Sequence, residues 1–285
     1  MKPVISLLVH EREDVVFDQI RNFKRYVPGV SIIIHIAKTF LKNSPRLSDR
    51  LASEPKVLVN PISLDTAWAD GSQAEAHLLN LRYLFEKREA FDGCIFHASN
   101  DLYVRGGLLD YLEGIDAACQ QDPIKDPIWI ESVRKDKLMT YLHSKFGTNP
   151  IWSEIEGSFY TRRVLEEMLA IIDEFNPGWM ERILRKTPSI LRRRHRIRAA
   201  FKGVFYPREE TIFPTLAKPF LSTYVKPFCL RKINPGEVAL IQDVDRMQAG
   251  EFDSESLPKR KYFVLKRINR LLDDPVRTYI RDQIS

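Results

Sequence analysis

Short apolar runs alternate with helical patterns along the first 110 residues of the chain. Apolar or β-branched runs at residues 4–9, 30–36, 56–59 and 91–97 predict buried strands, and apolar positions recur at helical spacing in residues 14–26 and 73–88. Strands that alternate with helices form a mostly parallel sheet. Ligands of such sheets bind in the loops at the carboxyl ends of the strands. The pattern therefore predicts an α/β fold with its site at that edge.

The alternation loosens after residue 128. Residues 128–130 and 156–160 predict short strands, residues 162–173 predict a helix, and a further helix begins at Glu209. The chain contains no internal repeat, low-complexity tract or Gly/Ser-rich linker. We therefore expect one domain over residues 1–285, with a mostly parallel, Rossmann-like nucleotide half over residues 1–110 and a more irregular acceptor half over residues 111–285.

Composition and cysteine usage narrow the class of protein. With 44% hydrophobic, 11% aromatic and 29% charged residues, the chain has the composition of a globular protein, which excludes a disordered or fibrous one. The 3 cysteines are widely spaced and form no CxxC pair, so neither a disulfide framework nor a structural zinc site is expected. No apolar run is long enough for a signal sequence or a membrane span. These features predict a reducing, cytoplasmic compartment.

The formal charge of +6 arises from one basic segment, residues 182–202, which carries many Lys and Arg and no acid. Such a segment attracts polyanions. Apolar residues interleave with the charges at helical spacing, which favours an anionic membrane surface contacted by Arg192, Arg193 and Arg194. Nucleic acid is not expected as a partner, because no aromatic side chain between Trp179 and Phe201 offers a stacking surface. A solvated helix face is the structural alternative.

The chain lacks the GxGxxG, GxxxxGK[ST], GxSxG and HExxH signatures of dinucleotide, P-loop, serine hydrolase and zincin sites. Candidate polar groups lie in residues 65–77, 97–103, 206–216 and 258–268. Ser72 and Asp101 also fit helix caps, and Glu209 and Glu210 also fit partners of a helix dipole. A carboxylate at a helix start beside a cavity can, however, take a proton from a hydroxyl group. The last segment also has a strand-like pattern, and its cations can neutralise a diphosphate.

Taken in order, these segments resemble glycosyltransferase family 14, the core-2/I-branching N-acetylglucosaminyltransferases, and the likeness covers nearly the whole chain. No single motif is specific, but together and in the same order they make the chain similar to a bacterial member of that family. The matching segments are residues 5–10 and 34–36 (first two strands), 68–76 (W-G-x-x-S-x-x-x-A), 96–103 (L-S-x-x-D-x-P), 156–158 (G-S), 207–215 (P-D-E-x-x-x-x-T) and 262–267 (F-A-R/N-K-F).

The resemblance implies a GT-A-like fold and an inverting transfer of a sugar from a nucleotide-sugar donor to a hydroxyl of a glycan or lipid-linked acceptor, with no metal or other cofactor. It implies that Glu210 is the general base that deprotonates the acceptor. It also implies that Lys266, aided by Arg267, lies against the donor diphosphate. Arg231 is the nearest candidate for a second cation there, and Arg246 is an alternative.

The resemblance further implies contacts to the nucleoside and to the sugars. The expected nucleoside residues are His10, Glu11, His35 and Lys38. The expected sugar or acceptor residues are Trp68, Asp101, Glu156 and Ser158. The chain departs from the family where His35-Ile36-Ala37 replaces H-x-D, which removes an acid expected beside the nucleoside. The donor therefore need not be a UDP-sugar.

Two other functions stay open at this stage. Asp243-Val244-Asp245 spells the DxD of metal-dependent GT-A enzymes, although it lies downstream of the expected base and we favour the metal-free mechanism. A non-catalytic module could instead bind polyanions or membrane through residues 182–202. Membrane binding is also compatible with catalysis, because a cytoplasmic transferase with a lipid-linked acceptor would work as a peripheral protein on the inner membrane.

Overall fold

A computed structural model describes residues 1–10, 12–67, 70–175, 206–231 and 238–283 of the chain. Its strands are Pro3–Val9 (β1), Ser31–Ile36 (β2), Val57–Val59 (β3), Gly93–Ala98 (β4), Leu102–Tyr103 (β5), Ala117–Ala118 (β6), Asp122–Pro123 (β7), Ile151–Trp152 (β8), Ser158–Thr161 (β9), Tyr224–Val225 (β10), Cys229–Leu230 (β11) and Val264–Leu265 (β12). Its α-helices are Glu13–Tyr26 (α1), Lys38–Asn43 (α2), Leu47–Ala52 (α3), Ser72–Glu86 (α4), Leu108–Tyr111 (α5), Pro127–Arg134 (α6), Lys137–Phe146 (α7), Arg162–Phe175 (α8), Glu209–Ala217 (α9), Ile241–Gln248 (α10) and Pro275–Asp282 (α11), with a 3-10 turn at Lys218–Phe220.

The central sheet has seven strands in the order β10-β6-β9-β4-β1-β2-β3. Within the described residues, only β9 runs against the other strands of this sheet. In the register of the middle strands, Ile5 of β1 lies between Ile32 of β2 and Ile95 of β4. The carboxyl ends of these three strands therefore meet at one edge. The α/β class with a mostly parallel sheet, predicted from the sequence, is confirmed.

The middle strands are buried on both faces because apolar side chains point to each side in turn. Ile5 and Leu7 belong to a core cluster that includes Phe23 of α1. Val4 points to the opposite face and belongs to a second cluster, which includes Leu78 of α4. Helices therefore cover both faces, which explains why these strands carry nearly continuous apolar runs instead of an apolar and polar alternation.

A smaller sheet, β11-β12-β5, brings two C-terminal segments to the carboxyl end of β4. β11 and β12 are parallel, with Leu230 opposite Leu265. The residues that follow these two strands, Arg231 and Lys266, therefore emerge side by side. The amide of Lys266 donates to the carbonyl of Leu230 over 3.0 Å, which extends the pairing to this point. The pairing thus brings together two cations that lie far apart in the sequence.

Two predictions about secondary structure are wrong. Residues 128–130 lie in α6, not in a strand. Asp126 caps that helix by accepting hydrogen bonds from the next amides, and Pro127 occupies the first turn, where an N–H has no partner in the helix. These start signals outweigh the β propensity of Ile128 and Trp129. The stretch 258–268 is a strand only at Val264–Leu265.

Several predicted features lie outside the described residues. They are Glu11, Trp68 and the basic segment 182–202 with Arg192, Arg193 and Arg194. The division of the chain into two halves near residue 110 stays a prediction. In the part of the chain that the structure describes, every helix is too short or too polar to cross a lipid bilayer.

Candidate active site

A cavity of about 290 Å³ opens at the carboxyl edge of the central sheet. Leu8 of β1 and Ala98 of β4 form part of its wall, and the first turn of α9 and the residues after β11 and β12 form other parts. The sequence pattern predicts a site at this edge. The charged or titratable side chains that line it are His10, His77, His97, Glu156, Glu209, Glu210, Arg231, Lys266, Arg267 and Arg270.

Glu210 lies in the first turn of α9, a helix whose residues are all buried. The indole Nε1 of Trp152 donates a hydrogen bond of 2.8 Å to Glu210 Oε2. Arg231 Nη1 lies 3.8 Å from Glu210 Oε1. The Glu210 carbonyl accepts from the amide of Ser153 over 2.9 Å. Both the side chain and the backbone of Glu210 are thus held against the segment that follows β8.

The environment of Glu210 raises the pKa of its carboxyl group to about 7. Burial is the main cause, because a buried carboxylate loses its hydration, and the negative charge of Glu156 adds to the effect. Lys266, the indole of Trp152 and Arg231 act in the opposite direction, since each stabilises the carboxylate. A carboxyl group with a pKa near 7 can both accept and release a proton at neutral pH.

Lys266 forms a buried ion pair with Glu156. Burial disfavours both charges, but each group offsets that cost for the other. The pKa of Lys266 therefore lies above its usual value although burial alone would lower it. The pKa of Glu156 lies below its usual value although burial alone would raise it, because the Lys266 ammonium lies beside it. The pair stays charged inside the cavity wall.

Arg267 and Arg270 extend the positive side of the cavity beyond Lys266 and Arg231. Arg267 has φ of 66°, in the left-handed region that non-glycine residues rarely adopt. Such a conformation costs on the order of 1–2 kcal/mol and persists where the surrounding structure fixes it. The turn that it makes sends consecutive cations, Lys266 and Arg267, to the wall of one cavity.

Glu209 is the one acid of this wall that the sequence analysis did not assign to the site. It is 3% exposed, and its Oε2 has no hydrogen-bond partner among the described residues. Burial raises the pKa of Glu209 to about 8, and the negative charges of Glu210 and Glu156 add to the effect. The signal that could have identified it is its place next to Glu210, at the start of a segment that is otherwise apolar.

Two histidines of the cavity wall, His77 and His97, were also missed as site residues. His77 Nδ1 lies 2.8 Å from the hydroxyl of Ser6, and burial lowers the pKa of His77 to about 3, so its ring is neutral. His97 lies between Asp101 Oδ2, 3.2 Å from Nδ1, and the Tyr103 hydroxyl, 3.0 Å from Nε2. Both rings are anchored from behind by buried polar groups, which fixes their orientation at the wall.

Of the expected nucleoside residues, His10 lines the cavity. His35 does not: it is fully buried, and its Nε2 accepts a hydrogen bond from the amide of Leu64. Lys38 is the exposed first residue of α2 and is not part of the wall. The expectation that His35 contacts a nucleoside is therefore corrected, because its ring is used to hold the neighbouring loop.

Of the expected sugar residues, Glu156 lines the cavity. Asp101 does not, because it is fully buried and its Oδ2 accepts from the amide of Ala98 over 3.1 Å. Ser158 does not, because it is buried and its hydroxyl donates to the carbonyl of Ile155 over 2.7 Å. Asp101 and Ser158 support the wall from behind, and the expectation of direct sugar contact is corrected for both.

Other candidates from the sequence lie elsewhere. Arg246 is exposed and paired with Glu251, whereas Arg231 lines the cavity. Asp243 and Asp245 lie in helix α10, where Asp243 accepts from the amide of Leu240 at the helix start and Asp245 accepts from the hydroxyl of Tyr279. Neither acid lines the cavity. Within the described ranges, no group of three or more His, Cys, Asp or Glu is arranged to hold a metal ion.

Comparisons with known proteins give a likeness in structure only. No protein-family model matches the sequence, and no curated protein is significantly similar to it. Three solved glycosyltransferase structures are similar in architecture. They are the apo form of GlyE of Streptococcus pneumoniae (10% identity, TM-score 0.39, 99% of this chain and 60% of that one), galactosyltransferase LgtC with donor and acceptor sugar analogs (8% identity, TM-score 0.42, 98% and 94%) and an active-site mutant of LgtC (9% identity, TM-score 0.43, 98% and 94%).

This chain thus spans 60% of the length of the GlyE chain that it matches. TM-scores below 0.5 are too low to assign a fold family or an activity. Membership of glycosyltransferase family 14 stays a prediction from the sequence.

Proposed function

We propose that this protein is a glycosyltransferase that moves a sugar from a nucleotide-sugar donor to a hydroxyl group of a glycan or glycolipid, with inversion at the anomeric carbon and without a metal ion. The observation that carries the proposal is one buried carboxyl group, Glu210, that shares a cavity with a group of cations. The resemblance of the sequence to family 14 leads to the same assignment.

Glu210 is the general base of this proposal. Its pKa of about 7 suits proton transfer at neutral pH, because a general base works best when its pKa lies near the working pH. The hydrogen bond from Trp152 leaves Oε1, the oxygen nearer Arg231, to face the acceptor. The carboxylate is thereby oriented before any substrate binds.

The cations bind the donor diphosphate. Lys266, Arg231, Arg267 and Arg270 line the same cavity as the base. Fixed cations stabilise the charge that develops on a leaving diphosphate, which is the work that Mg²⁺ performs in other transferases. Lys266 also neutralises Glu156, so the phosphates are bound by the cations of the wall as a group.

The reaction is a single displacement. Glu210 takes the proton of the acceptor hydroxyl while that oxygen forms a bond to the anomeric carbon. The bond between that carbon and the diphosphate oxygen breaks at the same time, and its electron pair leaves with the nucleoside diphosphate. Because one base activates the acceptor directly and no enzyme nucleophile intervenes, the configuration of the anomeric carbon is inverted.

The test combines binding and transfer. A thermal-shift screen with UDP, GDP, dTDP, CMP and their common sugar conjugates identifies the nucleotide, since a bound ligand stabilises the native state by mass action. Transfer of the matching sugar to a panel of p-nitrophenyl glycosides and to undecaprenyl phosphate sugars is then measured for the wild type and Glu210→Gln. We expect Glu210→Gln to lose transfer by about 10²–10⁴-fold while it binds the nucleotide as before.

Glu131→Gln is the matched control, because Glu131 is an exposed acid of α6 paired with Lys135. It should transfer sugar at the wild-type rate. An excess of EDTA should also leave the rate unchanged, and a loss that Mn²⁺ reverses contradicts the metal-free part of the proposal. Near-normal turnover by Glu210→Gln contradicts the assigned base, and a wild type that binds no nucleotide of the panel contradicts the function as a whole.

A further inference from the structure

Glu209 presents a buried carboxyl group to the cavity that the mechanism above does not use. The residue lines the cavity next to Glu210 and is 3% exposed. Its Oε2 is fully buried and has no hydrogen-bond partner in the described part of the chain. Buried polar atoms in native proteins are almost always hydrogen-bonded, so an exception at a cavity wall points to a partner that is absent from the protein alone.

The charged groups around the two neighbouring glutamates differ. Glu156 raises the pKa of Glu210, and Lys266 and Arg231 lower it. The charges that affect the pKa of Glu209 most are those of Glu210, Glu156 and Asp70, which are all acids.

The nearest cation in sequence, Arg208, is already ion-paired with Asp136 over 2.9 Å. His77, on the same wall as Glu209, is neutral because burial lowers its pKa to about 3. An acid whose surroundings are acidic and buried keeps its proton at neutral pH, and a protonated carboxyl group is a hydrogen-bond donor.

The ligand at this point of the cavity carries no negative charge. Glu210, Glu156 and Asp70 repel an anion from the surroundings of Glu209, and the cations that suit phosphate act on Glu210 instead. A sugar hydroxyl offers an uncharged oxygen that accepts a hydrogen bond. A carboxylic acid kept neutral in order to donate such a bond is a known device of enzyme sites.

We propose that Glu209 is a sugar-binding residue of this cavity, and that its neutral carboxyl group donates a hydrogen bond to a hydroxyl oxygen of a bound sugar beside Glu210. The inference rests on the proposed function, because the sugar is either that of the nucleotide-sugar donor or that of the acceptor. Glu209 thus selects an uncharged sugar, and Glu210 removes the proton of the attacking hydroxyl.

The experiment compares Glu209→Ala, which removes the donor, with Glu209→Gln, whose amide keeps one. Isothermal titration with the nucleotide found in the screen and with its sugar conjugate tests the donor sugar, and the acceptor KM for a p-nitrophenyl glycoside tests the acceptor. We expect Glu209→Ala to bind the bare nucleotide as the wild type does. It should lower the affinity for the sugar conjugate, or raise the KM for the acceptor, by about tenfold. That is the effect of one lost hydrogen bond to a buried partner.

Glu209→Gln should recover that affinity to within about threefold, since an amide N–H replaces the acid O–H. The wild type should lose the same affinity as the pH rises above 8, where Glu209 ionises, whereas Glu209→Gln should not. Infrared spectroscopy at pH 7 should show a protonated carboxyl band that is weaker in Glu209→Gln than in the wild type, because only the contribution of Glu210 then remains.

Three results overturn the inference. They are unchanged donor and acceptor affinities in Glu209→Ala, a Glu209→Gln variant as inactive as Glu210→Gln, and a wild-type affinity that does not fall at high pH. These results count against the inference only when the wild type itself binds a nucleotide and transfers sugar. A wild type that does neither contradicts the proposed function itself, so the two failures are distinguishable.

Discussion

Two regions of the molecule bury an ion pair, and the two pairs differ in the groups that surround them. Between α1 and α11, Asp18 Oδ2 lies 2.6 Å from Arg277 Nη1, and Asp18 Oδ1 lies 3.3 Å from Arg281 Nη1. The Arg277 side chain is fully buried, and its Nε and Nη2 donate to the carbonyl of Asn269. At the cavity, Glu156 is paired with Lys266, and the acids Glu209 and Glu210 lie in the same wall.

The difference teaches which buried charges serve the fold and which serve a ligand. In the pair at α11, both carboxylate oxygens of Asp18 accept hydrogen bonds from arginines of the protein, so the charges of this pair satisfy each other. The cavity brings three acids and several cations together and leaves Glu209 Oε2 without a partner among the described residues. Burial alone does not identify a site, whereas buried acids that share an open cavity with several cations point to one.

The largest effect on stability is expected for the pair of Asp18 and Arg277. Arg277→Met leaves Asp18 as a buried charge with only the partly exposed Arg281 beside it, and we expect the free energy of unfolding to fall by about 3–5 kcal/mol. Urea denaturation followed by circular dichroism measures this. Arg246→Met, which removes an exposed pair with Glu251, is the control and should cost about 1 kcal/mol or less. Equal losses in the two variants would remove the contrast between buried and exposed pairs.

Lys266→Met applies the same change to the pair at the cavity. Glu156 then loses its partner, but the cavity admits water and Arg231 lies near, so the loss of stability should be smaller than in Arg277→Met. Nucleotide affinity should fall by roughly 10–100-fold, because hydrogen bonds to charged groups contribute about 1.5–3 kcal/mol. Calorimetric titration checks the affinity. Full affinity with a stability loss as large as that of Arg277→Met would make Lys266 a purely structural residue.

Glu209→Gln should stabilise the fold at alkaline pH. The pKa of Glu209 is raised to about 8 in the folded protein from a usual 4.5, so the native state holds a proton that the unfolded state has released between these values. Stability is therefore lost as the pH rises from 4.5 to 8, and removal of the acid should return on the order of 1–3 kcal/mol above pH 8.

The expected gain corresponds to a rise of about 2–4 °C in Tm for each kcal/mol in a chain of this size. Differential scanning calorimetry at pH 5 and pH 9 measures it, and the gain at pH 5 should be smaller. A variant whose Tm gain is the same at both pH values would show that Glu209 does not carry its proton in the folded state.

The smallest effect is expected for Trp152→Phe. The indole N–H stabilises the carboxylate of Glu210, so its loss should raise the pKa of Glu210 and move the acid limb of the pH–rate profile to higher pH. Activity at pH 6 should fall by about five- to tenfold, and activity at pH 8 should change little. Trp129→Phe on α6 is the control. An equal loss at both pH values would mean that Trp152 supports packing without tuning the base.

Much of the fold could be predicted from the sequence, because apolar periodicity and start signals are local. The strands near residues 4–9 and 30–36, the helix that begins near residue 73 and the helix at Glu209 are all present. The prediction failed at residues 128–130, where three apolar residues are too few to separate strand from helix by pattern. There the cap supplied by Asp126 determined the outcome.

The site was predictable only in part. His10, Glu156, Glu210, Lys266, Arg267 and Arg231 line one cavity although they lie far apart in the chain. Asp101, His35 and Ser158 are polar residues in or next to strands, yet they are buried and do not line the cavity. A sequence shows that a polar residue follows a strand, but it does not show whether the side chain points into the cavity or into the protein.

The sequence by itself determined the α/β class, the mostly parallel sheet and the edge of that sheet at which a cavity forms, because these follow from local periodicity and from the geometry of parallel strands. Tertiary structure alone decided which charges meet. The pairing of β11 with β12 sets Arg231 beside Lys266, and the packing of α9 brings Glu209 and Glu210 to the same wall. The protonation of each acid depends on those neighbours and on burial, and both are properties of the folded chain.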